Sequence, residues 1–242
     1  MSDPPQDREM TIFEHLDELR RRLIIAALAT VAGLVIAVGF LTWPVMGLLT
    51  QPPALLGQPL DLKLVALRPT ETFVTFMQVS LVTGAALAMP VIISQVLLFI
   101  LPALHPNERR YLFLAVPFIT LAFLVGIAFA YFLVIPFAVR YLLTFGGPGV
   151  EAMWSIEEYL SFITALLFWI GVAFETPIVL FVLAKLRVID ARRLGRYRKY
   201  ALIGAFVLGA IITPTPDPVN QAIVAIPLYL LYELGVLLAR LA

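Results

Sequence analysis

Long apolar runs set the terms on which this chain can fold. Six are marked off by charged and prolyl residues, at about 23–43, 72–101, 111–135, 156–186, 200–212 and 222–238. With 61% hydrophobic and 14% charged residues, the chain lacks the polar surface that would clothe a soluble domain of its length. Inside a bilayer every backbone N–H and C=O must be paired within the protein, so runs of this kind are expected to be helices. The expected fold class is therefore an all-α membrane protein with six transmembrane helices, in a single domain over residues 1–242. The last two runs are short, about 20 and 25 Å at 1.5 Å per residue, against a hydrocarbon core of about 30 Å. They are expected to draw residues 213–221 between them below the outer interface. The run at 72–101 is instead too long and contains Pro90, which predicts tilt with a bend.

An even number of spans puts both termini on one side. Lys and Arg choose that side: residues 1–22, 102–111, 185–200 and the C-terminus hold all but Lys63, Arg68 and Arg140. The excess predicts cytoplasmic termini. The first run lies behind an acid-rich polar segment and is followed by no small-residue cleavage pattern, so it is not read as a cleaved signal peptide. A net charge of +1 gives no general field for nucleic acid, and the absence of cysteine excludes disulfides and thiolate chemistry. With His15 and His105 the only histidines, and no HExxH or GxSxG pattern, neither a metal nor another cofactor is expected.

The most unusual polar residue is Glu175, set in Gly171-Val-Ala-Phe-Glu-Thr-Pro177 in the middle of an apolar run. A charge at that depth normally faces a bundle interior or a watery cavity. Two readings stand: a hydrogen-bonded carboxyl tying helices together, with Thr164 or Thr176 as neighbours, or a functional polar pocket. Pro177 adds a freed backbone carbonyl and a bend. Near the N-terminus, Thr11 is placed to cap a helix on which Ile12, Leu16, Leu19 and Leu23 form one stripe and Glu14, Glu18 and Arg22 another. An intrahelical pair with Arg22 is the simplest use of Glu18. Glu108 falls in the first turn of the third span, where a helix dipole favours an anion.

Between the first two spans, Pro52, Pro53, Gly57 and Pro59 break the chain and Leu60 to Leu64 alternates like a short strand, predicting an ordered rim on the spans. Glu151, Glu157 and Glu158 are read as a solvated acidic patch, and Gly146 to Gly149 as a loop. Arg192, Arg193, Arg196, Arg198 and Lys199 suit anionic lipid headgroups. Glu233 is placed near the inner interface.

Several segments, taken in order, resemble the TatC family, the polytopic subunit of the twin-arginine protein translocase. They are His15-Leu-Asp-Glu-Leu-Arg20, Arg68-Pro-Thr-Glu-Thr-Phe73, Leu98 to Leu104, Asn107-Glu-Arg-Arg110, Phe129 to Phe132, Val172 to Pro177 and Ala225 to Tyr229. The resemblance implies a cupped, concave bundle in the cytoplasmic (inner) membrane of a bacterium or archaeon. It implies a receptor for the Arg-Arg signal peptides of folded precursors, exported on the proton-motive force, without covalent chemistry. The carboxylates that engage the arginines correspond to Glu18 and Glu108, so the resemblance overrides the dipole reading of Glu108. Leu16, Arg20 and Phe99 correspond to the same surface. Two carboxylates suit a planar, permanently charged fork. Glu175 corresponds to the family's intramembrane carboxylate. Contacts with the single-span TatA/TatB-type subunits fall on the fifth and sixth helices and so on Thr213, Gln221 and Asp217, with Pro52 and Pro53 in the extracytoplasmic loop. Further copies of the chain are implied in the complex. Gln78 departs from the family's usual Lys, and Thr213-Pro-Thr-Pro-Asp217 is a residue longer than the common form.

Two other classes remain for comparison. An ion-coupled secondary transporter would use Glu175 as a proton site, but no inverted repeat relates residues 1–110 to 111–242. An intramembrane hydrolase would need a base beside a nucleophile, and neither histidine lies at mid-membrane depth.

Overall fold

The computed structural model describes residues 12–53, 62–100, 106–145, 147, 153–186, 188–213 and 217–241, without the side chains of 12, 100, 106–115 and 191. The first run is part of a longer rod. Helix α1 (Ile12–Ile36) passes through a wide π-type turn, Ala37–Leu41, into α2 (Thr42–Leu49). The turn is closed by the Thr42 N–H on the Ala37 carbonyl, five residues back. The same device recurs where α4 (Pro106–Phe129) passes through Ala130–Val134 into α5 (Ile135–Phe145), with the Ile135 N–H on Ala130 O. Pro44 and Pro136 explain both turns. Neither can donate to the carbonyl four residues earlier, Phe40 or Phe132, and each of those carbonyls lies inside the wide turn that accommodates the ring.

These two turns correct the expected ends of the first and third spans. The helical rods run on through the prolines to Leu49 and Phe145, rather than stopping near 43 and 135. The second and fourth spans match their helices α3 (Glu71–Ile100) and α6 (Ile156–Lys185). After α7 (Ala191–Arg196), α8 (Arg198–Ile212) has 15 residues, and α9 (Pro218–Leu241) has 24. The fold class stands with one dimension corrected. Among the described residues five helices are long and apolar enough to cross a membrane, α9 among them, so of the last two spans α8 alone is short. The α9 helix outgrows its apolar run because an Asp217-Pro218 start signal precedes that run and helix-forming residues follow it.

Two short strands, β1 (Lys63–Val65) and β2 (Met153–Ser155), pair in parallel with Leu64 opposite Trp154. Each leads into a long helix, and their shared direction fixes α3 and α6 as departing from the same end of the bundle. The strand expected at residues 60–64 is thus found at 63–65. Residues 54–61, Thr11, Gly146, Gly149 and Glu151 lie outside the described part.

Helix α6 is the central element and packs against α3, α4 and α9. Its Leu160, Ile163, Leu166 and Ile170 are fully buried, at the spacing that keeps one helix face inward. Helix α1 packs along α3 in antiparallel fashion, and its register can be followed along the seam. The His15 ring stacks on Phe99, Arg22 bonds Gln95, Gly33 meets Gly84, and Thr42 shares a 2.7 Å hydrogen bond with Ser80. At the crossing the backbones touch: a Cβ on Gly33 would collide with Gly84 O. Gln78 bridges α3 to α6, its Nε2 donating to Ser161 Oγ at 2.8 Å.

Candidate functional site

The first turns of α1 carry a polar cluster against the far end of α3. Residues 18 and 22 are one turn apart, so their side chains meet, with Arg22 Nη2 at 3.1 Å from Glu18 Oε1. The guanidinium's other end, Nη1, donates to Gln95 Oε1 at 3.1 Å. Gln95 Nε2 in turn donates to Ser94 Oγ at 3.3 Å, and that hydroxyl to Val91 O. The cluster is more covered than a free surface pair, with the Glu18 and Arg22 side chains 17% and 25% exposed. Glu18 Oε2 and Arg22 Nε are buried and have no hydrogen-bond partner among the described residues.

Around this cluster, Leu16 is 54% exposed and Arg20 is exposed. The His15 and Phe99 rings stack 4.5 Å apart at 14°. Glu18, Leu16, Arg20 and Phe99 are therefore gathered at one end of the α1–α3 pair. The backbone of Glu108 lies in the first turn of α4, and its side chain is outside the described part. A largely covered carboxylate with one oxygen unpartnered among the described residues and flanking apolar surface can take up a cation, best a forked one. Among the described residues no group of three or more His, Asp or Glu is placed to hold a metal ion.

Glu175 lies on the central helix, 5% exposed, and its Oε1 has no hydrogen-bond partner among the described residues. It faces protein rather than lipid. Thr164 lies eleven residues before it on the same helix, about 16 Å away at 1.5 Å per residue, and its hydroxyl donates to Leu160 O.

The residues expected at a partner-binding edge divide in their roles. Thr213 is buried and donates to Gly209 O at 2.8 Å. Asp217 caps α9, its Oδ1 accepting the Asn220 N–H at 2.8 Å, and it also bonds the Tyr141 hydroxyl. Gln221 is half-buried, donates to Phe206 O at 2.7 Å, and lines an apolar groove with Leu202, Ile203, Phe206, Val207 and Ile211. Pro52 and Pro53 are half-buried behind a stretch pinned by two tyrosines. Tyr159 OH donates to Leu49 O at 2.9 Å, and Tyr131 OH lies within reach of Leu48 O and Gln51 O.

Sequence reasoning passed over Glu71. Its carboxylate, on a residue 2% exposed, accepts from the Leu67 and Arg68 amides, the Ser155 hydroxyl and the Glu157 amide. It thereby ties the turn before α3 to the turn before α6. An acid in the first turn of a helix was the available signal; its partners 84 and 86 residues away were not. The Arg198 side chain pairs with Glu233 at 2.8 Å, and Glu233 also accepts from Tyr229.

Comparison with known proteins agrees with this architecture. The family model described as Sec-independent protein translocase protein (TatC) matches residues 14–227. The chain is 39% identical over 235 residues to the Sec-independent protein translocase protein TatC of Carboxydothermus hydrogenoformans, covering 97% of this chain and 95% of that one. It is 41% identical over 235 residues to the TatC of Aquifex aeolicus, covering 96% of each. A crystal structure of the twin-arginine translocase receptor TatC in DDM superposes with a TM-score of 0.83 at 41% identity, covering 93% of this chain and 99% of that one. Six expected spans, the α1–α3 cluster, the intramembrane carboxylate and these matches have one reading: the chain belongs to the TatC family of Sec-independent protein translocase proteins.

Proposed function

We propose that this chain is the signal-peptide receptor and core subunit of a twin-arginine translocase, with both termini in the cytoplasm of a bacterium or archaeon. As a member of the TatC family it is a multi-pass membrane component of the Sec-independent translocase, works in a complex with other Tat subunits, and is not an enzyme. The observation that carries the finer reading is Glu18. It is a carboxylate held in a largely covered cluster with its second oxygen unpartnered among the described residues, beside exposed Leu16 and Arg20 and the Phe99 ring. An arginine side chain can place two N–H groups on one carboxylate, and the apolar residues following an Arg-Arg pair can lie on Leu16 and Phe99. Glu108, in the first turn of α4, supplies the second carboxylate.

Folded precursors with Arg-Arg signal peptides are then exported on the proton-motive force, with single-span TatA/TatB-type subunits docked along α8 and α9. The groove containing Gln221 supports that edge, since one polar group in an apolar groove suits a transmembrane helix carrying one polar side chain.

Glu18→Ala and Glu108→Ala test the receptor assignment. A charge-assisted hydrogen bond is worth about 1.5–3 kcal/mol, so each variant should weaken binding of an Arg-Arg peptide about tenfold or more. Undiminished cross-linking of that peptide to both variants would remove the assignment.

A further inference from the structure

The proposed receptor surface already contains an arginine of its own. Arg22 holds Glu18 with one arm of its guanidinium and Gln95 of α3 with the other. A pair one helical turn apart at a water-exposed surface is weak and readily exchanged. This pair is largely covered and is anchored on a second helix, yet Glu18 Oε2 and Arg22 Nε have no partner among the described residues. The carboxylate therefore has bonding capacity that its resident arginine does not use. The anchor matters equally, because Gln95 gives Arg22 somewhere to remain if the carboxylate is taken from it.

We propose that Arg22 is an internal stand-in for the signal peptide's arginine, occupying Glu18 in the resting chain and giving way to the incoming guanidinium while it stays bonded to Gln95. This rests on the assignment of Glu18 to the peptide site. The exchange is one guanidinium for another, so the half-buried carboxylate is never left bare, the state that would cost most. Only side chains need to move, because the His15–Phe99 stack and the Gly33–Gly84 crossing hold α1 on α3 on either side of the cluster.

The exchange separates two quantities. Vacating Glu18 costs the same whichever cation arrives, so Arg22 lowers every peptide affinity by one common factor. The preference for arginine over lysine resides instead in the geometry of the carboxylate. Arg22 thus acts as a threshold that rejects weakly bound basic segments without changing their rank.

The test measures Kd for a synthetic Arg-Arg signal peptide and its Lys-Lys counterpart on the full chain in detergent. Arg22→Gln is expected to tighten both by about two- to tenfold, the span between a surface ion pair and a charge-assisted hydrogen bond, with their ratio unchanged. Arg21→Gln removes the same charge from an exposed, neighbouring position and should change Kd by less than half as much. In a Glu18→Gln background, Arg22→Gln should have no effect. The proposal is overturned if Glu18→Gln weakens binding but Arg22→Gln does not tighten it, or if Arg21→Gln tightens it equally. Loss of no affinity in Glu18→Gln would instead remove the receptor assignment itself, and the stand-in with it. If Arg22→Gln does not accumulate in the membrane, Arg22→Lys keeps the charge without the fork; about twofold tightening is expected, and none overturns the proposal.

Discussion

Replacing Gly84 with alanine probes the seam that carries the polar cluster. The new Cβ would lie 2.5 Å from Leu34 N, 2.6 Å from Leu34 Cα and 2.9 Å from Gly33 C. All three are backbone atoms, so no rotamer change relieves the contact. Ordinary van der Waals contact begins near 3.4 Å, and α1 must move off α3 by about 1 Å. Overpacking of this kind costs about 1–3 kcal/mol, and alanine's better helix propensity returns at most about 1 kcal/mol. The net expectation is a loss of up to about 2 kcal/mol after the full propensity return, more if the Thr42–Ser80 and Arg22–Gln95 bonds are stretched. The assay is the thermal unfolding midpoint of the full chain in detergent, with Gly39→Ala alongside. A Cβ at Gly39 meets nothing within 4 Å, so that variant should not lower the midpoint. Gly84→Ala should lower it and weaken Arg-Arg peptide binding. A midpoint equal to that of the unaltered protein would refute the close-packed seam.

Glu175→Gln keeps a hydrogen-bonding group but cannot ionise; if the carboxylate acts during transport, the variant inserts and binds signal peptide yet exports precursor poorly. Full export at matched membrane levels would show that a charge there is dispensable. Gln221→Leu removes the polar atom of the α8–α9 groove and should reduce co-purification of a single-span subunit while leaving peptide affinity intact, whereas equal loss of both would indicate misfolding. Glu71→Gln keeps the side chain's shape but exchanges one acceptor oxygen for an NH2 group among backbone donors. It should lower the thermal midpoint while leaving peptide binding, about 36 Å away along α3, unchanged.

The spans and their order were legible because apolar runs report helices directly, and Glu175 stood out because a carboxylate in such a run has few uses. Pro44 and Pro136 were harder. A proline ordinarily ends a helix, and only the extra residue taken up by a wide turn lets the rod continue. Asp217 shows another limit: its sequence, Asp-Pro-Val-Asn, is a helix-start signal, and the structure uses it as a cap within a stretch read for partner contact. The Glu18–Arg22 pair follows from spacing alone, but its anchor on Gln95, 73 residues away, does not. The Gly33–Gly84 contact has no local signature either, since each glycine is unremarked until its helix meets the other.

The Glu71 carboxylate also imposes an order on assembly. Its own turn provides the Leu67 and Arg68 amides as soon as α3 begins. Its other donors, at Ser155 and Glu157, do not exist until the ribosome has added more than eighty further residues. A nascent chain carrying α1, α3 and α4 therefore holds this carboxylate with only the donors of its own turn, and the start of α6 is the event that completes its bonding.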